Sequence, residues 1–421
     1  MKVAIVGGGI GGMSLALSLH AAGITDVDVY ESAAGIRELG VGINVLPHGV
    51  RELTELGLAD ELAAVGIPTA ELALYTNRGQ RIWSEPLGMA AGYRWPQVSI
   101  HRGQLLGVLH RAVVARLGPH RIHPGHHLVG FGHVERGGVW GEYVNATRDG
   151  SLGRIEADVL VGCDGIHSMV RRTLYPEEGP SQWSGVIMWR GVTVGEPYLS
   201  GRTMITVGSI KQRVVVYPVS KPYEDQGRAL INWVALRRIA DAGPTPTQDW
   251  TSLARREEAL EAFSSFDFEF LDVPALIRGA EEVYQYPRVD RDPLPSWDFG
   301  RVTLLGDAAH PMHPVGGNGA SQAIIDARVL ARELALQPSI ESAIAAYDAR
   351  RRPETAAVVQ ANRQAGLSRL IELVEDRAPT GFTSLNDVVS QQELDEVAGN
   401  YKRVAGFAVG TLNSRSSLSA H

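Results

Sequence analysis

Short apolar runs alternate with amphipathic stretches in the first 31 residues of the chain. Lys2 to Val6 is a largely apolar run, typical of a buried parallel strand, and Met13 to Ala22 carries apolar residues at helical spacing. Val27 to Glu31 is a second run of strand type. The pattern predicts a β-α-β unit whose first junction is a glycine-rich turn.

The same two patterns recur farther along the chain. Helical spacing predicts helices over about Gly49 to Val65 and Gln104 to Leu117, and two short apolar runs, Ala157 to Cys163 and Arg301 to Leu305, predict further buried strands.

A different pattern covers the region from about Trp183 to Tyr286. Short β-branched and aromatic runs, such as Gln212 to Tyr217 and Ala229 to Leu236, are separated by Gly, Pro and Asp turns. We therefore predict an antiparallel sheet inserted into the nucleotide-binding domain.

The pattern after Gly319 is helical through about Glu375, and Pro338 and Pro353 predict breaks. From Ser414 onward the tail has too few apolar residues to order itself. The C-terminal part is therefore expected to be a helical extension with a loose end.

With 421 residues, the chain exceeds what one hydrophobic core usually supports. We expect an α/β protein with a Rossmann-like nucleotide-binding domain, an inserted antiparallel β-sheet substrate domain and a C-terminal helical extension. The predicted division is a discontinuous nucleotide-binding domain (1–75, 100–180 and 285–340), a substrate domain (76–99 and 181–284) and a helical region (341–421).

Charge and composition narrow the classes of partner. The formal net charge is −7, and no long Lys/Arg run occurs, so neither nucleic acid nor an anionic membrane surface is expected. No segment reaches the roughly 18 uninterrupted apolar residues of a membrane span. The first apolar run is too short for a signal peptide, which favours a cytoplasmic location. Cys163 is the single cysteine, so an internal disulfide or dithiol redox centre is excluded.

Gly7, Gly9 and Gly12 form a G-x-G-x-x-G turn between the first strand and the first helix. Gly7 permits the tight turn, Gly9 lets a pyrophosphate approach the backbone, and Gly12 allows close packing of helix on strand. Glu31 follows at the end of the second strand, where its carboxylate can bind a ribose diol. These residues predict a bound dinucleotide, either FAD or NAD.

Two further segments narrow the choice between FAD and NAD. Asp164-Gly165 follows one apolar strand, and Gly306-Asp307 follows another. Together with the glycine loop, they resemble the three signatures of the single-component FAD-dependent aromatic hydroxylases, the para-hydroxybenzoate hydroxylase-like family. The resemblance spans nearly the whole chain. It implies bound FAD, so the Rossmann-like domain is expected to be an FAD-binding domain.

The resemblance also implies roles for individual residues. Asp307 would bind the ribityl hydroxyls, Asp164 would hold FAD and assist NAD(P)H, and Arg102 would contact FAD. The loop Arg37 to Ile43 would lie beside the flavin ring. Further FAD contacts are expected at Ser32, Gly42, Ile43 and Val129.

Pro314 to Gly319 precedes a helix that is predicted to begin near Ala320. Its backbone N–H groups, with Gly317, Asn318 and Gly319, can face the N1/C2-carbonyl edge of the flavin, where negative charge develops on reduction. Many relatives have Gln where Asn318 stands, which puts a side-chain contact there in doubt but leaves the backbone role.

Within the inserted sheet, Met188 to Gly191, Tyr217-Pro218 and Ile231 to Val234 resemble the phenazine-hydroxylase branch of the family. Arg190 is a candidate to guide the flavin or a substrate carboxylate, and Tyr217 is a candidate to line the aromatic pocket. Pro314 is a further candidate for positioning flavin or substrate.

Two groups of histidines have spacings that suggest ligands, His310 with His313 and His123 with His126 and His127. Metal binding would require a third ligand at fixed geometry, and no such set accompanies them. No metal is therefore expected. Cys163 fits a buried small hydrophobe better than a nucleophile.

The chemistry that the resemblance implies is hydroxylation of an aromatic or heteroaromatic substrate, phenazine-like or polyketide-like, in secondary metabolism. NADH or NADPH would reduce FAD, and O2 would give a C4a-hydroperoxide that transfers oxygen. Epoxidation or oxidative decarboxylation on the same scaffold stays open, as does a non-catalytic carrier. A flavin-dependent halogenase should contain W-x-W-x-I-P, which is absent. We expect a monomer or homodimer.

Overall fold

The computed structural model describes residues 1–36, 40–135, 137–145, 150–239, 243, 246, 253–364 and 368–420. Within these residues the strands are β1 Val3–Val6, β2 Val27–Glu31, β3 Gly42–Val45, β4 Ile67–Thr69, β5 Glu71–Thr76, β6 Arg81–Pro86, β7 Gln97–His101, β8 Ile122–Pro124, β9 His126–His133, β10 Val139–Asn145, β11 Ser151–Ala157, β12 Val159–Gly162, β13 Gln182–Gly195, β14 Thr203–Gly208, β15 Gln212–Pro218, β16 Ala229–Arg238, β17 Asp267–Phe268, β18 Leu271–Asp272, β19 Tyr284–Asp290 and β20 Val302–Leu304.

The α-helices of the described residues are α1 Ile10–Ala21, α2 Pro47–Glu55, α3 Ala59–Val65, α4 Arg102–Leu117, α5 Met169–Leu174, α6 Lys221–Glu224, α7 Arg256–Phe263, α8 Val273–Gly279, α9 Gly319–Leu336, α10 Ile340–Arg363, α11 Ser368–Arg377, α12 Gln391–Val404 and α13 Val409–Ser414.

A five-stranded parallel sheet forms the nucleotide-binding half, in the order β20-β12-β1-β2-β8. Its central strands β1 and β12 are buried on both faces, which explains their continuous apolar runs. Helices α1, α9 and α4 pack beside one another in the same core. The predicted β-α-β unit is therefore present, with β1 and β2 adjacent and parallel.

A seven-stranded sheet forms the second half, in the order β19-β13-β16-β15-β14-β5-β6. All its pairs are antiparallel except β14 with β5. Five of its strands, β13 to β16 and β19, lie between β12 and β20 in the chain, and β5 and β6 come from an earlier segment. The predicted inserted sheet is therefore confirmed. Because β5 crosses the predicted boundary at 75/76 and β19 crosses the one at 284/285, the exact division into domains stays a prediction.

The single helix predicted over Gly49 to Val65 is wrong, because the chain forms α2 and α3 instead. Gly57 separates them with a φ of +73°, a left-handed conformation that commonly ends helices. The strand predicted from Ala157 to Cys163 also divides, since Ala157 ends β11 and β12 begins at Val159.

Two expectations for the C-terminal part are wrong. Pro353 lies inside the 24-residue α10 instead of breaking it, because tertiary contacts on both sides of it outweigh the roughly 3 kcal/mol cost of an interior proline. The tail beyond Ser414 packs on the protein: Leu418 is 4% exposed, and the hydroxyl of Ser417 donates to Glu55 at 2.6 Å.

Candidate functional site

The glycine turn after β1 shows what each glycine contributes. A Cβ at Gly7, whose φ is +106°, would lie 2.4 Å from the carbonyl oxygen of Cys163, and a Cβ at Gly12 would lie 2.0 Å from that of Gly7. Packing therefore requires both glycines. A Cβ at Gly9 would meet no described atom within 4 Å, so the backbone there is open to a ligand.

Glu31 holds this turn in place. Its carboxylate accepts a hydrogen bond of 2.7 Å from the backbone N–H of Gly8 and another of 2.7 Å from that of Ala33, and the hydroxyl of Ser32 donates at 3.2 Å. Carboxylate oxygens have further lone pairs, so these bonds leave capacity for a diol. At the N-terminus of α1 no described side chain caps the free N–H groups, which favour an anion.

Asp307 is exposed where the parallel sheet meets the inserted sheet. No described residue donates a hydrogen bond to its carboxylate. The surrounding protein raises the pKa of this carboxyl above its ordinary value, opposed by His310 and Arg102. Arg102 is exposed at the start of α4 and packs beside Gly40. Asp307 thus presents an open acceptor.

Asp164 is differently placed. Its carboxylate accepts from the hydroxyl of Ser168 at 2.5 Å and from the backbone N–H groups of Met169 at 2.7 Å and Val170 at 3.2 Å. Burial nevertheless raises the pKa of this carboxyl. Its side chain therefore helps to cap α5, which corresponds to the alternative interpretation of a strand-ending turn.

A buried ionic network lies beneath the Gly306-Asp307 turn. Asp326 accepts from Arg351 at 2.7 Å and from the Gly306 backbone at 3.1 Å, and it contacts His310 Nε2 at 2.5 Å. Burial acts to raise the pKa of Asp326, but His310 and Arg351 outweigh it and lower the pKa. This network fixes the turn that presents Asp307.

The loop before α9 contains two consecutive left-handed glycines, Gly316 at φ +72° and Gly317 at φ +66°. Asn318 is fully buried, and its side-chain amide donates to the hydroxyl of Tyr401 at 2.9 Å. The Asn318 side chain therefore points into the protein and leaves the backbone side of the loop for a ligand. No described side chain caps the 18-residue α9.

The backbone N–H and carbonyl groups of Gly42 form hydrogen bonds with three side chains of the inserted sheet. Its carbonyl oxygen accepts from Arg190 at 2.7 Å and from the Tyr217 hydroxyl at 2.9 Å, and its N–H donates to Asn232 at 2.7 Å. Arg190 and Tyr217 thus position the loop of Gly42 and Ile43.

Val129 lies on β9, the edge strand of a three-stranded sheet. The register pairs Glu142 with Gly130 and Tyr143 with Leu128, so Val129 is the extra residue of a β-bulge. Its side chain is 40% exposed, and its backbone is not part of a regular ladder pair.

A cavity of about 330 Å³ lies between the inserted sheet and the loop before α9. Apolar side chains of several strands line it, including Leu72, Met188, Val215 and Leu236. Its size and lining are typical of a small-molecule site.

Of the predicted site residues, eight line this cavity, and these are Gly42, Ile43, Arg190, Tyr217, Asp307, Pro314, Gly317 and Gly319. The others lie outside its wall. The predicted loop Arg37 to Ile43 is described from Gly40 onward, and its residues 37–39 lie outside the described residues.

Sequence reasoning missed Asp326, Tyr401, Arg213 and Arg288. Asp326 had a visible signal, since it is an acid among the apolar positions of a helix. Arg213 also had one, because it directly precedes the apolar run of β15, whereas the mixed sequence of β19 does not mark Arg288. Tyr401 had none, since its contact with the loop is set by the tertiary fold.

Three of the histidines considered as metal ligands lie beside aspartates. His310 contacts Asp326, whereas His313 Nε2 lies 3.5 Å from Asp290. His123 bonds to Asp28 at 3.0 Å. Cys163 was predicted to be buried, but it is partly exposed. Its surroundings raise the pKa of its thiol well above the usual value, which disfavours the reactive thiolate.

Comparison with known proteins identifies the class. The family model described as "FAD binding domain" matches residues 1–362, and the chain belongs to this family of FAD-dependent aromatic hydroxylases. The predicted family and its FAD cofactor are thereby confirmed. The open backbone at Gly9 and the free carboxylate of Asp307 fit such a cofactor.

Individual relatives are similar over most of the chain. The phenazine 1,6-dicarboxylic acid hydroxylase PhzS of Lysobacter antibioticus is 45% identical over 362 residues, covering 86% of this chain and 89% of its own. The aurachin C monooxygenase/isomerase of Stigmatella aurantiaca is 34% identical, covering 83% and 84%. The crystal structure of Klebsiella pneumoniae HpxO with FAD and uric acid has a TM-score of 0.73 at 22% identity, covering 98% and 96%.

Among the helices of the described residues, none combines the length and the apolar character that crossing a bilayer requires.

Proposed function

We propose that the chain hydroxylates a fused heteroaromatic compound of phenazine type, which it holds in the cavity between the inserted sheet and the loop before α9. The observation that supports this proposal is the apolar cavity wall facing Asp307 and Gly316 to Gly319. The 45% identity to a phenazine dicarboxylate hydroxylase supports the same substrate type.

The glycine loop would hold the adenosine diphosphate end of FAD. In this proposal the N–H groups at the start of α1 bind the pyrophosphate, and Glu31 binds the ribose diol beside Ser32. Val129 and Arg102 would contact FAD from the strand β9 and the helix α4. Asp164, whose carboxylate caps α5, would contribute chiefly by shaping the turn after β12.

The other end of the cofactor would lie along the cavity. Bound FAD supplies hydride acceptance from NADH or NADPH and activation of O2. Asp307 would accept hydrogen bonds from the ribityl hydroxyls, and the backbone of Gly317 to Gly319 would favour negative charge at the adjacent ring edge. Arg190 and Tyr217 fix the Gly42 peptide, Pro314 borders the cavity, and the apolar wall excludes water.

An epoxidase or oxidative decarboxylase would use the same residues. One relative is named as a monooxygenase/isomerase, so an oxygenation other than simple hydroxylation is the second candidate. Product analysis separates the two. We further propose a cytoplasmic monomer or homodimer, which light scattering after gel filtration tests.

The experiment is a screen on the purified, FAD-loaded protein. Phenazine carboxylates, salicylates and polycyclic phenols are tested for stimulation of NADH and NADPH oxidation, with products identified by mass spectrometry. We expect stimulation and a product heavier by one oxygen atom for phenazine-type compounds. A protein that retains no FAD, or one whose NAD(P)H oxidation no aromatic compound stimulates, would contradict the proposal.

A further inference from the structure

Two buried arginines lie in the wall of the cavity. Arg213 on β15 is 7% exposed and Arg288 on β19 is 8% exposed, and both line the same cavity as Met188 and Leu236. Buried arginines are uncommon unless they are paired with an acid. Their partners are therefore informative.

Neither guanidinium has an acidic partner among the described residues, since no carboxylate oxygen there lies within 4 Å. Arg288 Nε donates to the hydroxyl of Ser184 at 2.8 Å. The nearby carboxylate of Asp290 is occupied by Arg363, which donates to it at 2.8 and 3.0 Å. The two arginines therefore retain unused donors.

The electrostatic surroundings of the pair favour an anion. Burial lowers the pKa of both guanidinium groups to about 10, and the charge of Arg238 adds to the effect on each. Arg213 also lowers the pKa of Arg288, whereas Asp290 opposes that shift. A bound anion would relieve this repulsion.

The strand register shows where this positive end lies. Arg213, Val215 and Tyr217 point to the same face of β15, and the four-residue step from Arg213 to Tyr217 spans about 13 Å. Tyr217 contacts the Gly42 peptide. The arginines thus lie at one end of a long apolar wall and the Gly42 loop lies toward the other, which suits a flat multi-ring molecule.

We propose that Arg213 and Arg288 form a binding site for a carboxylate group on the aromatic substrate. The inference rests on the proposed function and adds the substrate class, which is an aromatic carboxylate held by its acid group. Paired guanidinium forks match carboxylate geometry.

The test uses FAD-loaded protein and three probes: phenazine-1,6-dicarboxylate, phenazine-1-carboxylate and unsubstituted phenazine. Dissociation constants are measured from the change in flavin absorbance in wild type, Arg213→Gln and Arg288→Gln. The matched control is Arg237→Gln, because Arg237 is an exposed arginine of β16 next to Leu236. Arg213→Lys keeps the charge without the fork and serves if Arg213→Gln fails to fold.

We expect each Gln variant to bind the carboxylates about tenfold to a hundredfold more weakly, as loss of a charge-assisted hydrogen bond implies. Binding of phenazine should stay within about twofold, and Arg237→Gln should match wild type. Arg213→Lys should lose less affinity for the carboxylates than Arg213→Gln does, and it should bind phenazine as wild type does.

Equal weakening of phenazine and its carboxylates, or unchanged carboxylate binding, would overturn the carboxylate site. These failures differ from failure of the proposed function. If phenazine stimulates NAD(P)H oxidation in wild type and in Arg213→Gln while the carboxylates lose no affinity, only the carboxylate site is wrong. If no aromatic compound stimulates wild type, the proposed function itself fails.

Discussion

The side-chain amide of Asn318 donates a hydrogen bond of 2.9 Å to the hydroxyl of Tyr401, joining the loop before α9 to the C-terminal helix α12. The same hydroxyl lies 3.0 Å from the carbonyl oxygen of Val315 and 2.9 Å from the side-chain oxygen of Asn362. A hydroxyl has one proton, so it can donate to only one of these acceptors at a time. The proposed flavin loop thus depends on a residue far away in the sequence.

Tyr401→Phe should loosen this loop. Without the hydroxyl, the buried amide of Asn318 loses its acceptor, which costs about 1–3 kcal/mol of unfolding free energy. We expect a lower melting temperature and weaker FAD retention, measured by thermal unfolding and by FAD titration of the apoprotein. Tyr93→Phe is the control, because Tyr93 loses a buried bond to Phe407 at 2.7 Å without touching the loop. Equal FAD affinities in both variants would refute the coupling.

Gly9→Ala and Gly12→Ala should separate cofactor binding from folding. A Cβ at Gly9 meets no described atom within 4 Å, so the apoprotein should keep its stability. Its FAD affinity should fall about tenfold to a hundredfold, because the methyl group keeps phosphate from the backbone donors. Gly12→Ala should cost about 1–3 kcal/mol of stability by overpacking. Gly399→Ala, an unhindered helical site, is the control, and normal FAD binding by Gly9→Ala would exclude the pyrophosphate assignment.

Asp307→Asn should weaken FAD binding without harming the fold. The substitution removes a carboxylate that no described residue uses, and each lost charge-assisted hydrogen bond to a ribityl hydroxyl should cost about 1.5–3 kcal/mol. FAD titration and thermal unfolding of the apoprotein measure the two effects. Asp267→Asn is the control, because Asp267 is an exposed residue of β17. If Asp307→Asn binds FAD as tightly as wild type, the ribityl assignment is wrong.

Two buried histidines should make the protein sensitive to acid. Burial lowers the pKa of His48 to about 3 and that of His313 to about 4. The unfolded chain binds these protons near pH 6.5, whereas the folded protein does not. The free energy of unfolding therefore has its full value above about pH 6.5. It decreases as the pH falls below that, by about 1.4 kcal/mol per pH unit for each histidine.

Denaturant unfolding of the apoprotein between pH 7 and 5 measures this loss. His48→Gln should remove about 1.4 kcal/mol per pH unit of the slope, whereas the exposed His120→Gln should leave the slope unchanged. A His48→Gln slope equal to that of wild type would show that His48 does not resist protonation.

Local sequence patterns predicted the elements whose causes are local. The β-α-β unit followed from the apolar runs around Gly7 to Gly12, and β15 and β16 followed from β-branched runs. The need for glycine at position 12 was also predictable, because a Cβ there would clash with the carbonyl oxygen of Gly7 in the same turn.

Features that depend on distant packing were not predictable. Pro353 stays helical because contacts elsewhere hold α10, and Leu418 is buried because the parallel-sheet core receives it. The open carboxylate of Asp307 and the occupied one of Asp164 follow similar strands, and only the fold distinguishes them. The pairing of Tyr401 with Asn318 joins residues 83 positions apart.

Incorporation of labelled oxygen distinguishes hydroxylation of the substrate from oxidation of NAD(P)H without oxygen transfer. FAD-loaded protein is incubated with NADH or NADPH, phenazine-1-carboxylate or phenazine-1,6-dicarboxylate, and ¹⁸O₂, and the product is analysed by mass spectrometry. We predict one ¹⁸O atom in each molecule of ring-hydroxylated product, formed in proportion to NAD(P)H consumed. Products without label, or NAD(P)H consumption that yields hydrogen peroxide alone with every aromatic compound tested, would contradict it.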